Sequence, residues 1–188
     1  MRNHTIAVLT TTAIIGCAAW PMASATAGEA TSDKGETIML DKKPAAAAIS
    51  STLKVHGATL YYEARGNGPL LLIIPGGPQD AGVFDALATH LADRYTVVAY
   101  DPRGNSRSTF DGAATPLDVD QQADAAAALI PHLGGRPARV FGSSGGAQIG
   151  PNLAARHPAL VATVVAHEPP TILLLDDPSA EIAADQSL

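Results

Sequence analysis

Apolar and polar positions follow two different periods along this chain, and the changes of period mark its elements. Residues 52–56 and 59–64 alternate apolar with polar side chains on either side of Gly57-Ala58, which predicts a β-hairpin. Residues 70–74 then form a continuous apolar segment, which is typical of a strand buried on both faces of a parallel sheet. A second buried strand is predicted at 95–100, and further strands at 139–142 and 160–166.

Helical periodicity separates these predicted strands. Val83, Leu87 and Leu91 recur on one helix face, an alanine-rich helix is predicted over 116–133, and another over 145–157. Strands that alternate with helices indicate an α/β domain. We therefore predict a mainly parallel sheet with flanking helices and a β-hairpin at its N-terminal end.

The beginning of the chain has a different pattern. An apolar stretch from Thr5 to Trp20 is followed by the small residues Ala23-Ser24-Ala25, which is typical of a secretory signal peptide. We expect a signal peptide over 1–25, a flexible linker over 26–50 and the folded domain over 51–188. The protein is then expected to be secreted or held in the cell envelope.

Two alternatives remain open for the N-terminal region. The sequence before Cys17 is similar to a bacterial lipobox, which would make Cys17 the point of a lipid anchor. If translation starts at Met39 instead, the protein has no signal and is cytoplasmic.

Composition, charge and residue spacing argue against several classes of ligand and binding partner. The net charge is −6 and no basic run exists, which argues against nucleic-acid binding. A single cysteine excludes a disulfide framework, and the six histidines lack the pairing of a helical metal site. Gly82 follows Gly77 at a spacing that does not fit a dinucleotide-binding loop. We expect a small-molecule substrate, no metal and no cofactor; the oligomeric state stays open.

The most specific motif lies between the predicted strand at 139–142 and the helix that follows. Residues 142–146 have the sequence Gly-x-Ser-x-Gly, the pattern of a nucleophile elbow, in which a serine occupies a very tight turn. The residues on either side approach too closely for a Cβ, so glycine suits both Gly142 and Gly146. The pattern predicts Ser144 as a nucleophile, with the backbone N–H of Gly145 directed at an oxyanion.

Further motifs stand before and after this elbow in a consistent order, and with them the chain resembles α/β-hydrolases of the esterase, perhydrolase and aminopeptidase-like type. The resemblance covers about residues 50–175 and implies acyl transfer to water from a small ester, amide or lactone, with oxyanion-hole N–H groups at Gly77 and Gly145. It implies structural roles for Asp101 and Arg103. The further motifs are Pro75-Gly76-Gly77-Pro78, Asp101-Pro102-Arg103-Gly104-Asn105-Ser106-Arg107-Ser108 and Ala155-Arg156-His157-Pro158.

The resemblance also implies a catalytic acid and a histidine base. Glu168, at the end of the strand after the elbow helix, is a candidate acid, and a structural carboxylate at a lid hinge is the alternative. His167 is considered as a base only because it ends the same strand. Relatives place the histidine beyond position 188, so we expect an incomplete domain, with a lid that starts near residue 169 and impaired catalysis. The alternative is a non-catalytic, truncated or ligand-binding relative.

Overall fold

A computed structural model of the protein describes residues 5–9, 47–134, 137–171 and 177–179, with the backbone alone for 5–9. The described strands form one sheet, and the described helices pack on its two faces. The strands are β1 (Thr5–Leu9), β2 (Ile49–Val55), β3 (Ala58–Arg65), β4 (Leu70–Ile74), β5 (Thr96–Tyr100), β6 (Thr109–Phe110), β7 (Ala138–Ser143) and β8 (Val161–His167). The helices are a 3₁₀ turn (Ala81–Phe84), α1 (Asp85–Leu91), α2 (Val119–His132) and α3 (Gly145–Arg156).

The sheet has the strand order β1-β8-β7-β4-β5-β3-β2, and β6 pairs with β3 outside this path. Strands β1, β8, β7, β4 and β5 pair in parallel, whereas β3 runs antiparallel to both β5 and β2. The prediction of a mainly parallel sheet with an N-terminal hairpin is confirmed. The carboxyl ends of β4, β7 and β8 lie side by side, which is where ligands bind in sheets of this kind.

The two faces of the sheet are covered differently. Helices α2 and α3 pack against each other and against one face, where Leu72, Val140 and Val164 occupy matching register positions. The small alanine side chains of α2 contribute to this core. The 3₁₀ turn and α1 cover the other face over β4 and β5, around Ile73 and Val97. This arrangement sets the start of α3 directly against the loop that follows β4.

Helix α2 starts three residues later than the sequence predicts. The Asp118 side chain accepts hydrogen bonds from the N–H groups of Asp120 and Gln121, at 2.9 and 3.3 Å. Such a cap fixes the first turn at Val119. The sequence analysis also missed β6, because a strand of two residues carries no detectable period.

The structure describes only residues 5–9 and 47–50 of the region for which a signal peptide and a linker are predicted. Residues Thr5–Leu9, assigned by their pattern to a signal peptide, pair in parallel with β8 as an edge strand. The predicted domain start at residue 51 falls inside β2, which begins at Ile49. The predictions on Cys17, the cleavage site, the linker up to 46, the start at Met39 and the tail over 172–176 and 180–188 lie outside the described residues. Of the helices over the described ranges, none has the length and apolar character to cross a bilayer.

Candidate active site

Ser144 stands between β7 and α3 in a strained backbone conformation. Its φ is 51° and its ψ is −119°, a combination that costs a non-glycine residue about 1–3 kcal/mol. Two hydrogen bonds hold it there. The Ser144 N–H donates to the carbonyl of His167 at 2.9 Å, and the Ser144 carbonyl accepts from the N–H of Ala147 at 2.8 Å. The predicted elbow is therefore present, and it is tied to the end of β8.

The glycines around Ser144 leave no room for a side chain. A Cβ on Gly142 would lie 2.1 Å from the carbonyl oxygen of Gly146, and a Cβ on Gly146 would lie 2.0 Å from that of Ile74. A Cβ on Gly76 would lie 2.7 Å from the Cβ of Ser144. Three backbone segments thus meet at the elbow, and the motif needs its glycines because of this close approach.

The two amides assigned to an oxyanion hole lie on adjacent segments. Gly77 belongs to a turn after β4 that closes through a hydrogen bond from the N–H of Gln79 to the carbonyl of Gly76, at 3.1 Å. Its φ of 52° is one that glycine adopts readily. The nitrogen of Gly77 lies 3.3 Å from the place where a Cβ on Gly145 would stand. The structure therefore brings both residues to the elbow serine.

A cavity of about 260 Å³ opens beside Gly77 and Gly145. Leu117, Val119 and Ile149, together with three prolines, give it an apolar lining. Its polar lining side chains are all amides. None of the described residues that line it carries a charge. The amides belong to Asn105, Gln122 and Gln148.

His167 ends β8 and Glu168 follows it, but His167 contacts Ser144 only through its backbone carbonyl, and no described side-chain contact of either residue reaches Ser144. The His167 ring stacks on Phe141, and its Nδ1 lies 3.5 Å from the Oγ of Ser143. Glu168 is exposed and has a φ of 51°. Within the described part of the chain, the Oγ of Ser144 has no hydrogen-bond partner. The roles of base and acid therefore stay predictions for these two residues.

The buried carboxylate of Asp101 anchors the loop after β5. It accepts hydrogen bonds from the N–H of Ala81 at 2.9 Å and from the backbone and guanidinium of Arg107 at 2.8 to 3.0 Å. Burial alone would raise the pKa of Asp101, but the hydrogen bonds from Arg107 and Ala81 hold it below its usual value. The structural role expected for Asp101 agrees with these contacts. Arg107 belongs to the same motif as Asp101, and no role was predicted for it from the sequence.

We expect Asp101→Asn to lower the free energy of unfolding by about 1–3 kcal/mol, because it removes the charge-assisted hydrogen bonds from Arg107, which keeps Glu63 as a second partner at 2.9 Å. A carboxyl whose pKa is lowered by folding stabilises the protein above its unfolded pKa of about 3.9, and this stabilisation is lost as the pH falls through the folded pKa. Urea unfolding followed between pH 3 and 7 checks both effects. The unaltered protein should lose stability below about pH 4 faster than the variant, and parallel pH curves would contradict the assignment.

The side chains of Arg103, His157 and His132 make contacts that do not involve Ser144. The Arg103 guanidinium donates to the carbonyl of His56 at 2.6 Å, which fits its expected structural role. The Nε2 of His157 lies 2.7 Å from a carboxylate oxygen of Asp124, at the far end of α3 from Ser144. His132 contacts the hydroxyl of Tyr62 at 3.2 Å. Among the described residues, no three side chains of the His, Cys, Asp or Glu type form a metal-ligand cluster.

Comparisons with known proteins find similarity to the alpha/beta hydrolase fold and to hydrolases. A family model described as the alpha/beta hydrolase fold matches residues 69–187. The chain is 44% identical to an uncharacterized hydrolase, YraK, of Bacillus subtilis (strain 168), over 67% of this chain and 46% of that protein. It is 36% identical to the 2-(acetamidomethylene)succinate hydrolase of Mesorhizobium japonicum, over 63% of this chain and 42% of that protein.

A solved structure of an E-2-(acetamidomethylene)succinate hydrolase is also similar to this chain. It superposes with a TM-score of 0.59 at 36% identity, over 64% of this chain and 44% of the other. The chain spans less than half of the length of each of these relatives.

Proposed function

Because this chain belongs to the α/β-hydrolase family, we propose that its protein is a serine hydrolase with Ser144 as the nucleophile. The observation that carries the proposal is the strained turn at Ser144, between β7 and α3, with the amides of Gly77 and Gly145 beside it. Strain of this kind persists where function requires it. The proposed reaction is transfer of an acyl group to water from a small ester, amide or lactone.

In the proposed mechanism, the Oγ of Ser144 attacks the carbonyl carbon of the substrate and passes its proton to a general base. The carbonyl oxygen becomes an oxyanion, which accepts hydrogen bonds from the N–H groups of Gly77 and Gly145. Collapse of this intermediate breaks the bond to the leaving group, which takes the proton from the base. Water then attacks the acyl-serine in the same way and releases the acid.

A neutral serine needs this base within hydrogen-bond reach, because its hydroxyl is a weak nucleophile. We place the base outside the described residues, since the Nδ1 of His167 faces Ser143 rather than Ser144. Glu168 is proposed as the acid that orients the base, because it follows the strand end that contacts the elbow.

Hydrolysis of model substrates by the full-length protein tests the proposal. We expect release of p-nitrophenol from p-nitrophenyl acetate or butyrate, and progressive inactivation by a fluorophosphonate that reacts with activated serines. No turnover across esters, amides and lactones, together with no inactivation, would refute the proposal. Binding of such compounds without turnover would favour the non-catalytic alternative.

The cavity beside the N–H groups of Gly77 and Gly145 predicts a preference for substrates with uncharged acyl groups. Its lining has apolar and amide side chains, and burying an unpaired carboxylate costs several kcal/mol. We expect kcat/KM for p-nitrophenyl butyrate to exceed that for the p-nitrophenyl monoester of succinate by at least ~10-fold.

The Gln148→Lys variant is the matched test of this preference, because it places a cation in the cavity lining. It should raise the relative rate for the succinate ester. Equal rates for both esters in the unaltered protein would contradict the assignment. The comparison is informative because the relative from Mesorhizobium japonicum is named for a succinate derivative.

A further inference from the structure

We propose that Asn105 is a positioning residue for the oxyanion hole, an inference that rests on the proposed function. Its side-chain amide reaches from the loop after β5 to the turn that carries Gly77. The Nδ2 of Asn105 donates to the carbonyl of Gly77 at 2.7 Å and lies 3.4 Å from the carbonyl of Gln79. One amide group thus contacts both carbonyls on one side of the turn.

Gly77 is exposed, and one side of it is open. Apart from its chain neighbours, no heavy atom lies within 4 Å of the position that a Cβ on Gly77 would occupy, and its φ of 52° is one of several that glycine adopts at similar cost. Hydrogen bonds therefore contribute to the orientation of this turn. These are the bond from the N–H of Gln79 to Gly76 within the turn, the contact of the Gln79 side chain with the N–H of Gly76, and the contacts of Asn105.

Asn105 is itself fixed by its own loop. Its N–H donates to the carbonyl of Pro102 and its carbonyl accepts from the N–H of Ser108, both at 2.9 Å. The same loop is anchored by the ion pair between the buried Asp101 and Arg107. The Asn105 amide therefore connects an anchored loop to the exposed Gly77 of the turn.

Asn105 also lines the cavity beside Gly77, but its hydrogen bond to the turn predicts that the larger effect is on the chemical step. Loss of one oxyanion donor costs about 10²–10³ in kcat, and a displacement of about 1 Å can cost about 10²-fold. If Asn105 sets the position of the Gly77 N–H, its loss should lower kcat by ~10–100-fold and leave KM within ~3-fold. A residue that only binds substrate would change KM instead.

Kinetics of three Asn105 variants in the intact protein test the inference. Asn105→Leu and Asn105→Asp remove the N–H donor, whereas Asn105→His keeps one. We expect the first two to lower kcat and the rate of fluorophosphonate labelling in parallel, and the histidine variant to recover part of both. Ser106→Gly is the matched control, because the Ser106 hydroxyl donates to Asp80 at 3.1 Å and not to the turn. Its kcat should stay within ~3-fold of the unaltered protein.

The outcomes separate this inference from the proposed function. If the Leu and Asp variants keep full kcat while Ser144→Ala has none, the positioning role is wrong and the serine hydrolase stands. If KM rises and kcat does not change, Asn105 is a binding residue and the inference is also wrong. If the unaltered protein shows neither turnover nor labelling, the proposed serine hydrolase and the positioning role of Asn105 are both wrong. Should the Leu variant fail to fold, the comparison of Asp with His decides.

Discussion

Hydrolysis falls by about 10⁴-fold or more when Ser144 is replaced by alanine, if Ser144 is the nucleophile of a catalytic unit. The variant keeps the oxyanion amides and the cavity, so only the covalent step is lost. Initial rates with p-nitrophenyl butyrate measure the effect.

The neighbouring serine provides the control. Ser143 has the same hydroxyl one residue away, but it ends β7 and its Oγ faces His167 at 3.5 Å. We expect Ser143→Ala to retain activity within ~10-fold. Equal losses in both variants, or full activity in Ser144→Ala, would contradict the assignment of the nucleophile.

Stability should change little in Ser144→Ala, and this separates chemistry from folding. Ser144 is exposed, and its backbone hydrogen bonds to His167 and from Ala147 do not involve the side chain. Alanine at a φ of 51° pays a strain similar to that of serine. Urea unfolding of the two proteins should agree within ~1 kcal/mol.

The second large effect is expected at Gly146. In Gly146→Ala the new Cβ would lie 2.0 Å from the carbonyl oxygen of Ile74 and 2.7 Å from that of Pro75. Both atoms are backbone, so the start of α3 must move away from the turn after β4. We expect a loss of about 3 kcal/mol in the free energy of unfolding, and a loss of activity of ~10²-fold because Gly145 moves with the helix.

Another glycine of α3 is the matched control. A Cβ on Gly150 would lie 3.3 Å from a methyl group of Val164, a side-chain atom that can shift. Alanine also favours the helix over glycine by about 1 kcal/mol. Gly150→Ala should therefore leave stability and activity near those of the unaltered protein. Similar losses in Gly146→Ala and Gly150→Ala would contradict the explanation that Gly146 is needed because the backbone of the turn after β4 lies too close for a Cβ.

Local patterns of apolar and polar residues were sufficient to predict most of the fold. The continuous apolar segment at 70–74 predicted β4 because a strand buried along nearly its whole length needs no alternation. Ser144 was identifiable because a strand, a glycine-flanked serine and a helix must follow each other directly in the chain. Gly77 was identifiable only through the resemblance, because its nearness to Gly145 is a contact between distant residues.

The remaining features depend on contacts that no local pattern encodes. The amide of Asn105 meets the carbonyl of Gly77 across 28 positions of the chain. The pairing of Thr5–Leu9 with β8 joins segments of the chain that are more distant still. His167 was considered as a base from its position at a strand end, but which neighbour its ring faces is decided by register with Ser143. Such properties follow from tertiary packing rather than from spacing.

The identity of the residue that forms a covalent bond is the most direct test of this account. The intact protein is treated with a fluorophosphonate, digested, and its peptides are analysed by mass spectrometry. We predict one phosphonylated site, on Ser144, and its loss in Ser144→Ala. A stable adduct on another residue, or hydrolysis that continues with Ser144 unmodified, would contradict the assignment of Ser144 as the nucleophile.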